Sequence, residues 1–162
     1  LDWLMAAGAK LRVMNLAEVS GELVGDLLVT AGDVKGGIIS GATTAALIDE
    51  IPVLSVLGAV SRDGLVVKDA RELRVKETDR IATVAENMQR MGVSIEVYDD
   101  GFRIPGKQKF RSAAVDSFGD HRIAMAFAVA ALAAGGDTTV DNAEAASVSF
   151  PEFYATLRQI TA

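Results

Sequence analysis

Asp120-His121-Arg122-Ile123-Ala124-Met125-Ala126-Phe127-Ala128-Val129-Ala130-Ala131 runs from an aspartate and two basic residues straight into an uninterrupted apolar stretch. Aspartate suits the position in front of a helix, where its carboxylate accepts from a free backbone N–H. Apolar residues on nearly every face are the mark of a helix buried on all sides. The same design begins again at Asp49, as Asp-Glu-Ile-Pro-Val-Leu-Ser-Val-Leu-Gly-Ala-Val, with Pro52 in the first turn, where a missing N–H costs little. Two buried helices of one design, over 49–60 and 120–134, point to a repeat.

The flanking residues extend that repeat. Each helix leads through a glycine-marked turn into a strand, 64–68 in one case and 138–141 in the other. An amphipathic helix then follows. In the first copy Ile81, Val84, Ala85, Met88 and Met91 recur at helical spacing. In the second, Ser149-Phe150-Pro151-Glu152 reads as a capping box ahead of Phe153, Tyr154, Leu157 and Ile160 on one side. Residues 93–98, the turn Asp99-Asp100-Gly101 and residues 102–105 make a hairpin by turn chemistry, and 9–14 with 21–30 form an earlier one. The expected organisation is the tail of one unit (1–39), a whole unit (40–115) and the front of a third (116–162). Each complete unit reads strand–helix–strand–helix–strand–strand, an α/β fold built from units that share one core.

Composition narrows the function. At 162 residues with 50% hydrophobic but only 6% aromatic side chains, the chain suits one domain with an aliphatic core. A net charge of −6 argues against a nucleic-acid surface, which carries a basic stripe. Without cysteine there is no thiol nucleophile or disulfide, and a single histidine makes a multi-histidine metal site a poor expectation. The longest apolar run, 123–134, is about twelve residues, short of the roughly twenty that a membrane helix needs. The reading is a soluble, cytoplasmic chain, and its start at Leu1 without methionine reads as a piece of something longer.

Two charged segments remain: Leu73-Arg74-Val75-Lys76-Glu77-Thr78-Asp79-Arg80 and Gly119-Asp120-His121-Arg122. Each crowds opposite charges beside a hydrophobic helix, a costly arrangement for a core and a useful one for holding an anion and moving protons. With Ile48-Asp49-Glu50, and with Ser149-Phe150-Pro151-Glu152-Phe153 near the end, they make the chain resemble the carboxyl-terminal part of the 5-enolpyruvylshikimate-3-phosphate synthase family. That resemblance implies six βαβαββ units, three in each of two domains, with helices inside, sheets outside and inner-helix N-termini facing the cleft between domains. It implies transfer of the enolpyruvyl group of phosphoenolpyruvate to the 5-hydroxyl of shikimate 3-phosphate, without metal or organic cofactor. It also implies an amino-terminal domain as partner, supplying most shikimate 3-phosphate contacts, so that this piece alone is inactive.

The resemblance carries roles onto particular residues. Lys76 contacts the sugar-like substrate, Glu77 donates a proton, and Arg80 and Arg122 grip phosphoenolpyruvate. Asp49 is the proton acceptor for the attacking hydroxyl. Composition alone reads several of these more plainly: Lys76 to Arg80 as a solvated helix start, Asp49 as a helix cap, His121 as a structural histidine. Arg122 resists such a reading, since a guanidinium in the first turn of a buried helix needs an anion or a carboxylate. Two positions depart from the pattern of many family members, Glu72 in place of an asparagine and Val148 in place of a lysine, and both stay outside the expected site. The rival readings are the enolpyruvyl transferase that acts on UDP-N-acetylglucosamine and a noncatalytic protein-binding repeat module. The second requires the charged motifs to lie on outer faces.

Overall fold

The protein structure, a computed structural model, describes residues 1–161. It opens with a short helix, α1 (Asp2–Ala6), and a hairpin of two long strands, β1 (Lys10–Val19) and β2 (Glu22–Thr30). Ser20 and Gly21 at the tip both have positive φ, 54° and 84°, as a two-residue turn that matches strand twist requires. The strand β1 outruns the expected 9–14 because an irregularity at Asn15, φ 51°, lets pairing resume with Ala17 opposite Val24. This hairpin is a sheet of its own, largely exposed on both faces.

A full βαβαββ unit follows: β3 (Gly37–Ile39), α2 (Ala42–Ala46) leading into α3 (Ile51–Val60), β4 (Leu65–Val67), α4 (Arg80–Arg90), β5 (Glu96–Tyr98) and β6 (Gly101–Ile104). Its sheet runs in the order β3-β4-β6-β5. The first two strands are parallel, as a helical crossover demands, and the other pairs are antiparallel. Gly64, φ 84°, makes the crossover possible, for a Cβ there would sit 2.2 Å from the Ile104 carbonyl oxygen. The next unit begins with β7 (Ala114–Asp116), α5 (His121–Leu132), β8 (Thr139–Asp141) parallel to β7, and α6 (Phe153–Thr161). The opening strands thus lie at 37 and 114, ahead of the unit boundaries expected at 40 and 116.

The core is chiefly aliphatic. Ile51 and Leu54 of α3, Ile81, Val84 and Met88 of α4 and Ile123 of α5 meet Leu65, Val67 and Ile104 of the sheet, joined by Phe102, Phe110 and Phe127. Burying each large side chain contributes on the order of 1.5–3 kcal/mol, so this cluster is what fixes the helix ends that carry the charged motifs.

Two expectations change. The helices α3 and α5 are not enclosed all round: Val53, Val60 and Leu132 are exposed and, with Leu4, Leu57 and Val129, line an apolar groove of about 490 Å³. No element among the described residues covers that face. The capping box at Ser149 is also absent. The N–H groups of Ser149 and Phe150 already bond the Ala146 carbonyl, closing a 3₁₀ turn (Ala143–Val148), so α6 starts only at Phe153. Phe153 and Tyr154 then pack on Ala124, Ala145 and Ala146, while Ile160 stays exposed.

Candidate active site

The helix α5 begins from extended backbone, Asp120 having φ −92° and ψ 121°, so its first N–H groups need a side-chain partner. Asp120 provides it: Oδ1 accepts from the Arg122 backbone N–H at 2.9 Å. This carboxylate is fully buried, and what makes that tolerable is Arg80, itself only 1% exposed. Arg80 Nε donates to Asp120 Oδ2 at 2.8 Å and Nη2 lies 3.3 Å from Oδ1, while the Thr78 hydroxyl donates to Oδ2 at 3.2 Å. Burial pushes the Asp120 carboxyl up, but the hydrogen bond and charge of Arg80, with the N–H groups of Arg122 and Ile123, outweigh it and hold the group below its ordinary range. Burial likewise opposes the charge on Arg80, and the surrounding carboxylates more than restore it.

Asp49 behaves differently, and not as the cap expected of it. The chain enters α3 from the preceding helical turn, Glu50 stands at the cap position without a side-chain bond, and the Ile51 N–H reaches the Leu47 carbonyl at 3.1 Å. Backbone already satisfies what a capping aspartate would. The Asp49 carboxylate turns instead toward three cations: Arg80 Nη1 at 2.9 Å, Arg122 Nη2 at 3.5 Å and Lys76 Nζ at 3.7 Å. Partial burial works to raise its pKa, while Arg122, Lys76 and Arg80 together bring it below the ordinary carboxylate value.

The remaining expected residues join the same cluster. Glu77 Oε2 accepts from Arg80 Nη2 at 2.5 Å, and Arg122 Nη1 donates to the Asp49 carbonyl at 2.9 Å. Lys76, just beyond the 3₁₀ turn Arg71–Val75, pairs with Glu72 at 2.6 Å, and this bond leads the factors that raise its pKa. Asp49, Lys76, Glu77, Arg80 and Arg122 therefore meet at the N-terminal ends of α3, α4 and α5, where helix dipoles also favour anions. A hollow of about 260 Å³ opens beside them, lined by Asp49, Glu50, Arg122, Met125 and Phe153. Glu72, left outside the expected site, enters it as the partner of Lys76; Val148 is exposed, and His121 takes no part in the cluster's hydrogen bonds. Asp120 and Thr78 are members that sequence reading missed. The available signal was Arg80 itself, since an arginine at the start of a helix with so apolar a buried face needs a buried carboxylate somewhere.

Three cations facing acceptors that are partly open to solvent can exchange those acceptors for an anionic ligand, and two carboxylates beside it can give and take protons. Among the described residues, no group of histidine, aspartate and glutamate is placed to hold a metal, and no helix is long and apolar enough to cross a membrane. The sequence model of the family described as EPSP synthase (3-phosphoshikimate 1-carboxyvinyltransferase) matches residues 4–157. The chain belongs to the EPSP synthase family. The 3-phosphoshikimate 1-carboxyvinyltransferase of Solibacter usitatus is 61% identical over 160 residues, covering 99% of this chain and 38% of that protein. That of Koribacter versatilis is 49% identical over 160 residues with the same coverage. EPSP synthase from Acinetobacter baumannii superposes with a TM-score of 0.92 at 33% identity, over 98% of this chain and 37% of that one. The enolpyruvyl transferase NikO from Streptomyces tendae, 20% identical with a TM-score of 0.74 over 99% of this chain and 34% of its own, shares the fold. The α/β repeat is thus the EPSP synthase fold, and the chain spans 38% of the length of the curated relatives it matches.

Proposed function

We propose that this chain is the carboxyl-terminal part of a 3-phosphoshikimate 1-carboxyvinyltransferase and supplies half of its active site. The observation that carries the reading is the convergence of Arg80, Arg122 and Lys76 with Asp49 and Glu77 at the ends of the inner helices. The charged motifs lie there and not on outer faces, contrary to what a protein-binding repeat module requires. The other half, with most contacts to shikimate 3-phosphate, comes from an amino-terminal domain, and the protein is soluble and cytoplasmic. The partial unit ahead of Gly37, the whole unit that opens there and the partial unit that opens at Ala114 belong to one of two domains.

In this reading phosphoenolpyruvate displaces carboxylates from Arg80 and Arg122, and Lys76 reaches shikimate 3-phosphate. Glu77 protonates the methylene carbon of phosphoenolpyruvate while Asp49 accepts the proton of the 5-hydroxyl, whose oxygen bonds to C2. The resulting tetrahedral adduct loses phosphate from C2 and returns a proton from the methyl carbon to the Glu77 carboxylate, which restores the double bond in the product. Positive character at C2 develops between fixed charges that need no reorganisation. Neither metal nor organic cofactor enters any step.

Two variants of the full-length protein test this. Glu77→Gln keeps size and polarity without the proton, so turnover should fall by roughly 10²–10⁴ while shikimate 3-phosphate still binds. Near-normal turnover removes Glu77 from the acid role. Arg122→Ala should weaken phosphoenolpyruvate binding by about 2–5 kcal/mol and shikimate 3-phosphate far less. Equal losses for both substrates in a calorimetric titration would assign Arg122 to structure.

A further inference from the structure

Asp120 is a fully buried carboxylate that bonds the side chain of Arg80 and the backbone of Arg122, whereas Asp49, which also faces both arginines, is partly exposed. The Asp120 side chain takes the Nε edge of Arg80, at 2.8 Å, and its Oδ1 holds the backbone N–H of Arg122 at 2.9 Å. That leaves Nη1 and part of Nη2 of Arg80 for the acceptors Asp49 and Glu77. Those two side chains are partly open to solvent, 39% and 49%, and an incoming anion can displace them; Asp120, at 0%, it cannot reach in the same way. A guanidinium is planar, so a partner bonded along one edge sets the direction of the remaining donors. The N-cap bond at the same carboxylate sets where α5 begins, and with it the root of the Arg122 side chain.

We infer that Asp120 is a positioning residue for phosphoenolpyruvate, a single buried carboxylate that aims Arg80 through its side chain and seats Arg122 through the helix cap. The inference rests on the proposed function, because the anion it positions for is the one that reading assigns to these arginines. Thr78 acts in the same direction, its hydroxyl bonding Asp120 Oδ2 at 3.2 Å and restraining the carboxylate's rotation.

Steady-state kinetics of full-length variants test it. Asp120→Asn keeps a good helix cap and the side-chain size but no longer offers a carboxylate to the Nε edge of Arg80. The KM for phosphoenolpyruvate should rise by roughly ten- to a hundredfold, the range for losing a hydrogen bond between charged groups, with the KM for shikimate 3-phosphate little changed. Thr78→Val, which leaves the ion pair in place and so protects folding, should raise the phosphoenolpyruvate KM severalfold and again spare the other substrate. Unchanged KM values for both substrates in the folded Thr78 and Asp120 variants would overturn the proposal and leave Asp120 a cap and a core ion pair only. Should Asp120→Asn not fold, the Thr78→Val result alone decides, in the same two directions. Arg122→Ala separates the two levels of the reading. If it too spares phosphoenolpyruvate, the anion site itself is misassigned; if it weakens phosphoenolpyruvate binding while Asp120→Asn and Thr78→Val do not, the positioning role alone fails.

Discussion

The two inner helices open with the same motif, an aspartate ahead of an apolar run, and use it in opposite ways. At α5 the chain arrives extended, and the buried Asp120 carboxylate must bond the Arg122 N–H. At α3 the chain arrives from a helical turn, the Leu47 carbonyl already serves the Ile51 N–H, and Asp49 is released to face Lys76, Arg80 and Arg122. The route by which the backbone enters a helix decides whether its leading aspartate is structural or available for chemistry. Arg80 joins the two: its Nε edge lies on Asp120 and its Nη1 on Asp49. A repeated supersecondary unit can in this way bury one copy of a position as a cap and leave the other partly exposed among cations.

The largest difference should appear in stability. Asp120→Ala leaves Arg80 without its buried partner and α5 without its cap, a loss on the order of 3 kcal/mol or more in denaturant unfolding. Asp49→Ala removes a carboxylate that caps nothing and is partly exposed, so its loss should stay under about 1 kcal/mol. Similar losses for both would erase the contrast between the two helix starts.

A smaller effect separates the pair by pH. The folded state holds the carboxyl of Asp120 below its ordinary value of 3.8, so between the two values the unfolded chain binds more protons. Stability from this group is complete above pH 3.8 and is lost as pH falls below it. The stability gap between the parent and Asp120→Asn should accordingly narrow on acidification below that point. Asp49 is lowered as well but sits nearer solvent, so the parent and Asp49→Asn should show a gap that changes less. A gap for Asp120→Asn that stays constant through acid unfolding would mean that its charge does not stabilise the fold.

Much of this arrangement was legible in the chain. The apolar texts of 49–60 and 120–134 fall on α3 and α5, the helical spacing of Ile81 to Met91 on α4, and Asp99-Asp100-Gly101 on the β5–β6 connection, because each is a local pattern acting within a few residues. Asp49, Lys76, Glu77, Arg80 and Arg122 were legible through the spelling of their motifs, and the fold brings them together. What was not legible depends on distant or neighbouring backbone. The Asp49 cap failed because Leu47 supplies the carbonyl, and the Ser149 box failed because Ala146 already holds the N–H groups it needed to start a helix. The bond from Arg80 to Asp120 spans 40 residues, and no local periodicity encodes it. The exposed Val53, Val60 and Leu132 show the same limit, for an apolar pattern specifies a face to be covered without specifying what covers it.

The contrast between the helix starts is tested most directly by Asp49→Asn in the full-length protein, with turnover, shikimate 3-phosphate binding and melting temperature measured on one preparation. Asparagine removes the basic oxygen yet keeps the shape, and no cap depends on it. Turnover should fall by roughly 10²–10⁴ while binding and melting temperature stay close to the parent's. A variant that turns over normally, or one whose melting temperature collapses with its activity, would contradict the assignment of Asp49 to chemistry and Asp120 to structure.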